Sequence, residues 1–238
     1  MRIHVIPSSF YAANCVVIIA QDSERALVVD PSAGINDRIR SILDDEGANV
    51  AGVLATHGHP DHVWECAEVA SWALDAPAPT WIPGPDRYRM DDPAAHLPIP
   101  MPPGLPAWRR PDDLRNFPTG SVEIVDGVWL KMIPAPGHTE GSAVFIGHCD
   151  INVISGTEVL VHSKIPVPWA LSADVLFAGS VGRTDLPGGD EVQMRHSLRT
   201  LSHALDPATL LIPGHGPLTT LTQEIETNPY LTRARALG

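Results

Sequence analysis

Six consecutive positions, His57 to His62, read HGHPDH and follow directly on the apolar run VAGVLAT. A β-branched apolar run of that length reads as a buried strand. A strand that empties into such a turn gathers its polar groups at one edge of a sheet, where α/β folds place their chemistry. If the chain leaves the strand extended, His57 and His59 project to one side, because alternate side chains share a face. Pro60 forces a bend, and Asp61 and His62 then point at a second position close by. The turn therefore offers two pairs of the ligand types that divalent metals take.

Two further histidines arrive the same way. The chain holds eleven, and His138 in APGHTEG and His215 in IPGHGPL each follow an apolar run and a Pro-Gly pair. Glycine before the histidine lets the backbone approach closely, so each can complete one metal's set. Two dications a few ångströms apart repel, and two-metal hydrolases hold them ~3.5–4 Å apart. A shared carboxylate is wanted, and Asp174 in LSADVLFAG, at the end of an apolar run, is the best candidate. His4, His96, His148, His162, His196 and His203 are scattered and read as surface or core residues.

Around these turns, strand and helix signals alternate. NCVVIIA and RALVVD read as a hairpin, INDRIRSILDDEG as a helix closed by Gly47, and Val63 to Leu74 as another helix. VEIV and VWLKMIPA form a hairpin around Asp126-Gly127, and SAVFIG and INVISG are further strands. Asp190 to Leu205 is helical, TLLIPGHG is a last strand, and Leu218 to Thr227 is a last helix. The proline-dense stretch 76–120 is expected to be a long loop without regular structure. Hairpins followed by helix–strand units occur twice, which suggests two similar α/β halves packed sheet to sheet with helices outside.

Composition narrows the partners. With 238 residues and 44% hydrophobic content, one domain with a sizeable core is expected. The net charge of -12 and the lack of a basic run argue against nucleic acid and against an anionic membrane surface. No apolar run nears the ~18 residues that span a bilayer, and the N-terminus, broken by Pro7, Ser8, Ser9 and Asn14, does not read as a signal peptide. Cys15, Cys66 and Cys149 form no CxxC pair and read as small buried hydrophobes, so a reduced, cytoplasmic protein with a small-molecule substrate is expected.

THGHPDH, PGHTEGS, ADVLFAGSVGRTDLPGGD and PGHGPLTTLTQEIETNPYL together resemble the metallo-β-lactamase superfamily, in its short glyoxalase II-like branch of metal-dependent hydrolases. VVDPSAG is similar to the family's early turn, at Asp30. The resemblance runs from about Asn14 to Leu231 and implies an αββα four-layer sandwich with the site at one edge. It implies that His57, His59 and His138 hold one metal, that Asp61, His62 and His215 hold the second, and that Asp174 bridges. Asp30 would orient the loop from behind. Two divalent ions are implied, zinc first, with iron or manganese suited to the same donors.

The chain also departs from the family. Ala173 stands where glycine usually precedes the bridging aspartate, and the stretches 76–120 and about 148–168 are longer than usual, the second reading as an extended hairpin. Both lead toward metal-bearing loops and offer material for a substrate pocket. The residues after His215, 216–238, are too few for the helical domain that grips glutathione in full-length glyoxalase II enzymes. The implied chemistry is attack by a metal-bridging hydroxide on an acyl carbon, with Asp61 and Asp174 as the catalytic carboxylates. A thiolate leaves readily without a strong acid, which favours a thioester substrate. Relatives that hydrolyse β-lactams generally lack the bridging aspartate. Arg183 could meet a substrate carboxylate or pair with Asp185 to stiffen its loop. The alternatives are a persulfide dioxygenase using one iron at the counterparts of His57, His138 and Asp174, a lactonase or phosphodiesterase, and a non-catalytic metal-binding domain.

Overall fold

The computed structural model describes residues 1–98 and 100–236. The chain opens with β1 (Arg2–Pro7), β2 (Asn14–Ile19), β3 (Arg25–Val29), α1 (Asn36–Glu46) and β4 (Asn49–Leu54). Two short helices follow, α2 (Pro60–Val63) and α3 (Cys66–Ala70), then β5 (Thr80–Ile82) and β6 (Leu114–Asn116). The second half holds β7 (Ser121–Val125), β8 (Val128–Pro134), β9 (Ala143–Ser155), β10 (Glu158–Ala173), β11 (Leu176–Phe177) and β12 (Ser180–Val181). It closes with α4 (Glu191–Ala204), β13 (Leu210–Pro213), β14 (Thr219–Thr220), α5 (Leu221–Thr227) and α6 (Pro229–Ala236).

Side-chain alternation sorts these strands into layers. On β2, Val16 and Ile18 join one apolar cluster with Phe145, Trp169 and Ile212, whereas Cys15, Val17 and Ile19 join another with Ile35, Ile39 and Leu43. β3 divides the same way, Leu27 and Val29 against Ala26 and Val28. The first sheet is thus buried on both faces, by a second sheet inside and by helices outside. A third cluster packs Val144, Ala170 and Leu211 of the second sheet beneath Met194, Leu198 and Leu201 of α4 and Leu231 of α6. The order is helix, sheet, sheet, helix, as the resemblance implies.

One strand serves both sheets. β9 pairs with β8 over Ala143–Ile146 and with β1 over Asn152–Ile154. At ~3.3 Å per residue its 13 residues span roughly 40 Å. Register shifts in β10 at Val159/Val161 and Ser163/Val167 bend this long hairpin between the layers. The extended hairpin is present, but its tip near Gly156 lies at the far end of β9 and β10 from Asp174. It joins the sheets and does not reach toward the metal-bearing loops.

Three expectations from the sequence need correction. The stretch 76–120 is not irregular throughout: β5 and β6 extend the first sheet, parallel to β4 and to each other, with 3-10 turns at Gly84–Asp91 and Pro93–His96 between them. Strands of three residues are too short to show alternation. The helix read from Val63 to Leu74 starts at Pro60, breaks at Glu65 and ends at Ala70, whose carbonyl is taken by the Ala78 N–H. The last helix begins at Leu221 and is followed by α6, whose first turn is capped by the Asn228 carboxamide oxygen accepting from the Tyr230 and Leu231 N–H groups.

Candidate metal centre

Parallel pairing carries the turns to one edge. β3 runs parallel to β4, so Asp30 emerges beside Thr56 and His57. β10 runs parallel to β13, so Asp174 emerges beside Gly214 and His215, and the Gly214 N–H donates to the Ala173 carbonyl at 2.9 Å. Asn14 ties the halves together. Its N–H donates to the Gly214 carbonyl at 2.7 Å, and its carboxamide donates to Pro213 and Gly216 on either side of the histidine.

The structure brings all seven proposed ligands into one cluster. His59 Nδ1 lies 3.2 Å from His57 Nε2 and 2.8 Å from His138 Nε2. His62 Nε2 lies 3.2 Å from His215 Nε2 and 3.6 Å from Asp61 Oδ2. Asp174 spans the two groups: Oδ1 is 3.4 Å from His62 Nε2, while Oδ2 is 3.4 Å from His138 Nε2 and 3.3 Å from His215 Nε2. Pro60 begins α2, and the bend it makes separates the pair His57 and His59 from the pair Asp61 and His62.

Close packing explains the glycines. A Cβ on Gly214 would overlap Asp174 Oδ1, and one on Gly137, at φ 139°, would overlap the backbone of Met194. Ala173 itself sits at φ 47°, in the left-handed region that favours glycine. Ala173 therefore keeps the backbone turn of the usual glycine at the cost of local strain.

Supporting groups fix the rings. His62 Nδ1–H donates to Asp30 Oδ2 at 2.9 Å, leaving Nε2 free to face the centre. Asp30 also accepts from the Thr56 N–H and hydroxyl, both at 2.7 Å. His138 Nδ1–H donates to the Arg183 carbonyl at 2.7 Å. The Arg183 guanidinium forms a two-pronged pair with Asp185, each contact 2.7 Å, which is the second of the two arrangements weighed from the sequence. The pair holds the Asp185 carboxyl down at about 2. Sequence reasoning passed over Asn14, Thr56, Asp86, Arg89 and Thr139. Asp86 and Arg89 have the three-residue spacing of an ion pair on one turn, but nothing local in the sequence ties that pair to the histidine turns.

The two groups differ electrically. Burial and the neighbouring imidazoles hold His57 well below its ordinary value and bring His59 to about 3. Burial opposes charge on His62 and His215 too, but Asp174 and Asp61 outweigh it and push them up to about 9 and about 11. Against burial, His62 and His215 hold the Asp174 carboxyl well below the usual carboxylate range.

Imidazole nitrogens that converge with lone pairs inward make poor partners for one another and good ones for a cation. Asp174 Oδ1 is buried with no hydrogen-bond donor among the described residues, which leaves it available as a ligand. The triad His57, His59 and His138 and the triad Asp61, His62 and His215 each place their ligand atoms within 4.8 Å of one another. The donors, nitrogen and carboxylate oxygen, fit divalent ions of the zinc, iron and manganese type. A cleft of about 370 Å³ opens over the cluster, walled by Tyr11, Leu97, Phe177 and Leu186 with Arg183 at the side. Leu97 comes from the stretch 76–120, which does reach the site.

The family model described as the metallo-beta-lactamase superfamily matches residues 9–171. The chain belongs to the metallo-β-lactamase superfamily. It is 30% identical over 237 residues to hydroxyacylglutathione hydrolase GloC of Haemophilus influenzae, covering 97% of this chain and 98% of that one. The BLEG-1 B3 metallo-beta-lactamase superposes with a TM-score of 0.76 at 28% identity, covering 97% of this chain and 99% of the other. TTHA1623, solved in a di-iron-bound form, superposes with a TM-score of 0.65 at 28% identity, covering 92% and 95%. Superfamily membership and the histidine–aspartate cluster together make this a metal-binding hydrolase fold.

Proposed function

We propose that the chain is a dinuclear metallo-hydrolase of thioesters, glyoxalase II-like in its chemistry. The observation that carries this reading is Asp174, whose two oxygens face the two triads from between them. Two divalent ions held there would supply a nucleophile at neutral pH and polarise an acyl oxygen. His57, His59 and His138 would hold one ion, Asp61, His62 and His215 the other, with zinc proposed first. Asp30 and the Arg183 carbonyl keep the imidazoles aimed by holding the far ring protons of His62 and His138. Asp61 and Asp174 carry the negative charge that balances the ions.

The cleft walls support an acyl substrate with an apolar part. Tyr11, Leu97, Phe177 and Leu186 give one side of the cleft apolar surface against which such a part could rest. Thioesters are favoured because a thiolate departs without a strong acid. The H. influenzae relative is named a hydroxyacylglutathione hydrolase, and that substrate is a thioester. The di-iron-bound form of TTHA1623 supports two metals and keeps iron beside zinc. Among the described residues no helix is long and apolar enough to cross a membrane. We place the activity in the cytoplasm, on a small molecule, without nucleic-acid or membrane partners.

The test is a turnover screen of thioesters, lactones, phosphodiesters, persulfides and a chromogenic β-lactam, with metal analysis of the same sample. Thioester turnover with two ions per chain is expected. One iron per chain with oxygen uptake on persulfides would replace this reading by the dioxygenase. Faster turnover of β-lactam, lactone or phosphodiester would overturn the thioester assignment and leave the hydrolase.

A further inference from the structure

The loops that carry His57, His59 and His138 lean on one carboxylate that belongs to neither triad. Asp86, in the 3-10 turn Gly84–Asp91, is fully buried. Its Oδ2 accepts from the Gly58 N–H at 2.8 Å and from the Thr139 hydroxyl at 2.7 Å, and its Oδ1 accepts from the Gly141 N–H at 2.6 Å. Gly58 lies between His57 and His59, and Thr139 follows His138. One side chain thus fixes the distance between the two loops that build the first triad.

Arg89 completes the support. It is also fully buried, with Nε 3.5 Å from Asp86 Oδ1, and Nη2 donates to the Pro187 carbonyl at 2.8 Å and to Glu140. There is no slack around the pair. A Cβ on Gly58 would come within 2.6 Å of Arg89 Cβ, one on Gly141 within 2.6 Å of Asp86 Cβ, and one on Gly188 would overlap Arg89 Nη2 and Glu140. The second triad is supported elsewhere. His62 rests on Asp30, and the turn of His215 rests on Asn14.

We infer that Asp86 is the positioning residue of the first metal position, with Arg89 as its counter-charge, and that it acts there without governing the second. The inference rests on the dinuclear reading above. Its physical basis is the donor count. An asparagine in place of Asp86 would turn an N–H toward at least one of three donors whichever way its amide faced, and would leave Arg89 with Glu140 as its remaining carboxylate partner.

Metal-stripped protein titrated with cobalt(II), followed by visible absorption and by elemental analysis, tests this without recourse to activity. The first position, with three histidines beside the shared Asp174, and the second, with two histidines and Asp61 beside it, should give distinct spectra. Wild type should take up two equivalents. In Asp86→Asn the His57–His59–His138 position should bind about 10- to 100-fold more weakly, the range typical of an outer hydrogen-bond partner, with the second position unchanged. In a His215→Ala background the same substitution should remove the remaining tight equivalent. Thr139→Val, which keeps the ion pair and deletes one donor, should shift the first position in the same direction by less, and it covers the case in which Asp86→Asn does not fold. Equal weakening of both positions, or none at the first, would overturn the role of Asp86 while leaving the dinuclear reading intact. Wild type taking up one equivalent would instead sink the dinuclear reading and the selectivity inferred with it.

Discussion

Asp30 Oδ2 receives the Nδ1 proton of His62 at 2.9 Å, inside a pocket where both side chains are nearly inaccessible to water. The bond occupies Nδ1 and leaves Nε2 as the ring nitrogen that faces the cluster. Asp30→Asn should therefore weaken metal binding at the Asp61–His62–His215 position by about 10- to 100-fold. Competition with a chromogenic chelator reads it, and unchanged affinity would show that His62 is oriented by packing alone.

Asp174 is the side chain both triads share. Asp174→Asn should lose more than the 10- to 100-fold typical of an outer partner, with metal content falling below two per chain and hydrolysis lost. Full activity in that variant would refute the dinuclear centre.

The backbone before Asp174 makes a separate prediction. Ala173 at φ 47° carries strain of about 1–2 kcal/mol that glycine would relieve, offset by about 0.5–1 kcal/mol of added chain entropy. Ala173→Gly should leave stability unchanged or raise it by at most about 1.5 kcal/mol, whereas Ala173→Val should destabilise by roughly 2 kcal/mol. Gly214→Ala should keep the fold yet lose metal, because the new methyl meets the Asp174 carboxylate. Urea titration with metal analysis separates these outcomes.

Protons compete with metal at one triad more than at the other. His62 and His215, raised to about 9 and about 11, are charged at neutral pH in the metal-free protein, whereas His59, near 3, is neutral. Metal uptake should release protons, and apparent affinity should rise with pH toward 9. The same raised values stabilise the metal-free fold below about pH 6.5, and that contribution is lost as pH rises through 9 to 11. Melting of chelator-treated protein should fall across that window while metal-loaded protein stays level. Calorimetry in buffers of different ionisation enthalpy gives the proton count; zero release would overturn this assignment.

Much of the centre was legible in the sequence because its signals are local. His57 to His62 lie on one turn, and His138 and His215 each follow a Pro-Gly pair at a strand end. Their meeting follows from parallel pairing of β3 with β4 and β10 with β13. Asp86 and Arg89 were not legible, because their partners Gly58, Thr139 and Pro187 are distant in sequence and come together only in the fold. β5 and β6 hid for a related reason. Thr80–Ile82 and Leu114–Asn116 are too short for a period, and prolines surround them.

The strand shared by both sheets also constrains how the molecule is made. Arg2 of β1 pairs with Asn152 of β9, so the first sheet lacks that neighbour until more than half of the chain has left the ribosome. At about 5–20 residues per second the delay is roughly 10–30 s. Throughout it, the unpaired N–H and C=O groups on that edge of β1 are open to other nascent chains, and the steps that follow must outrun their association.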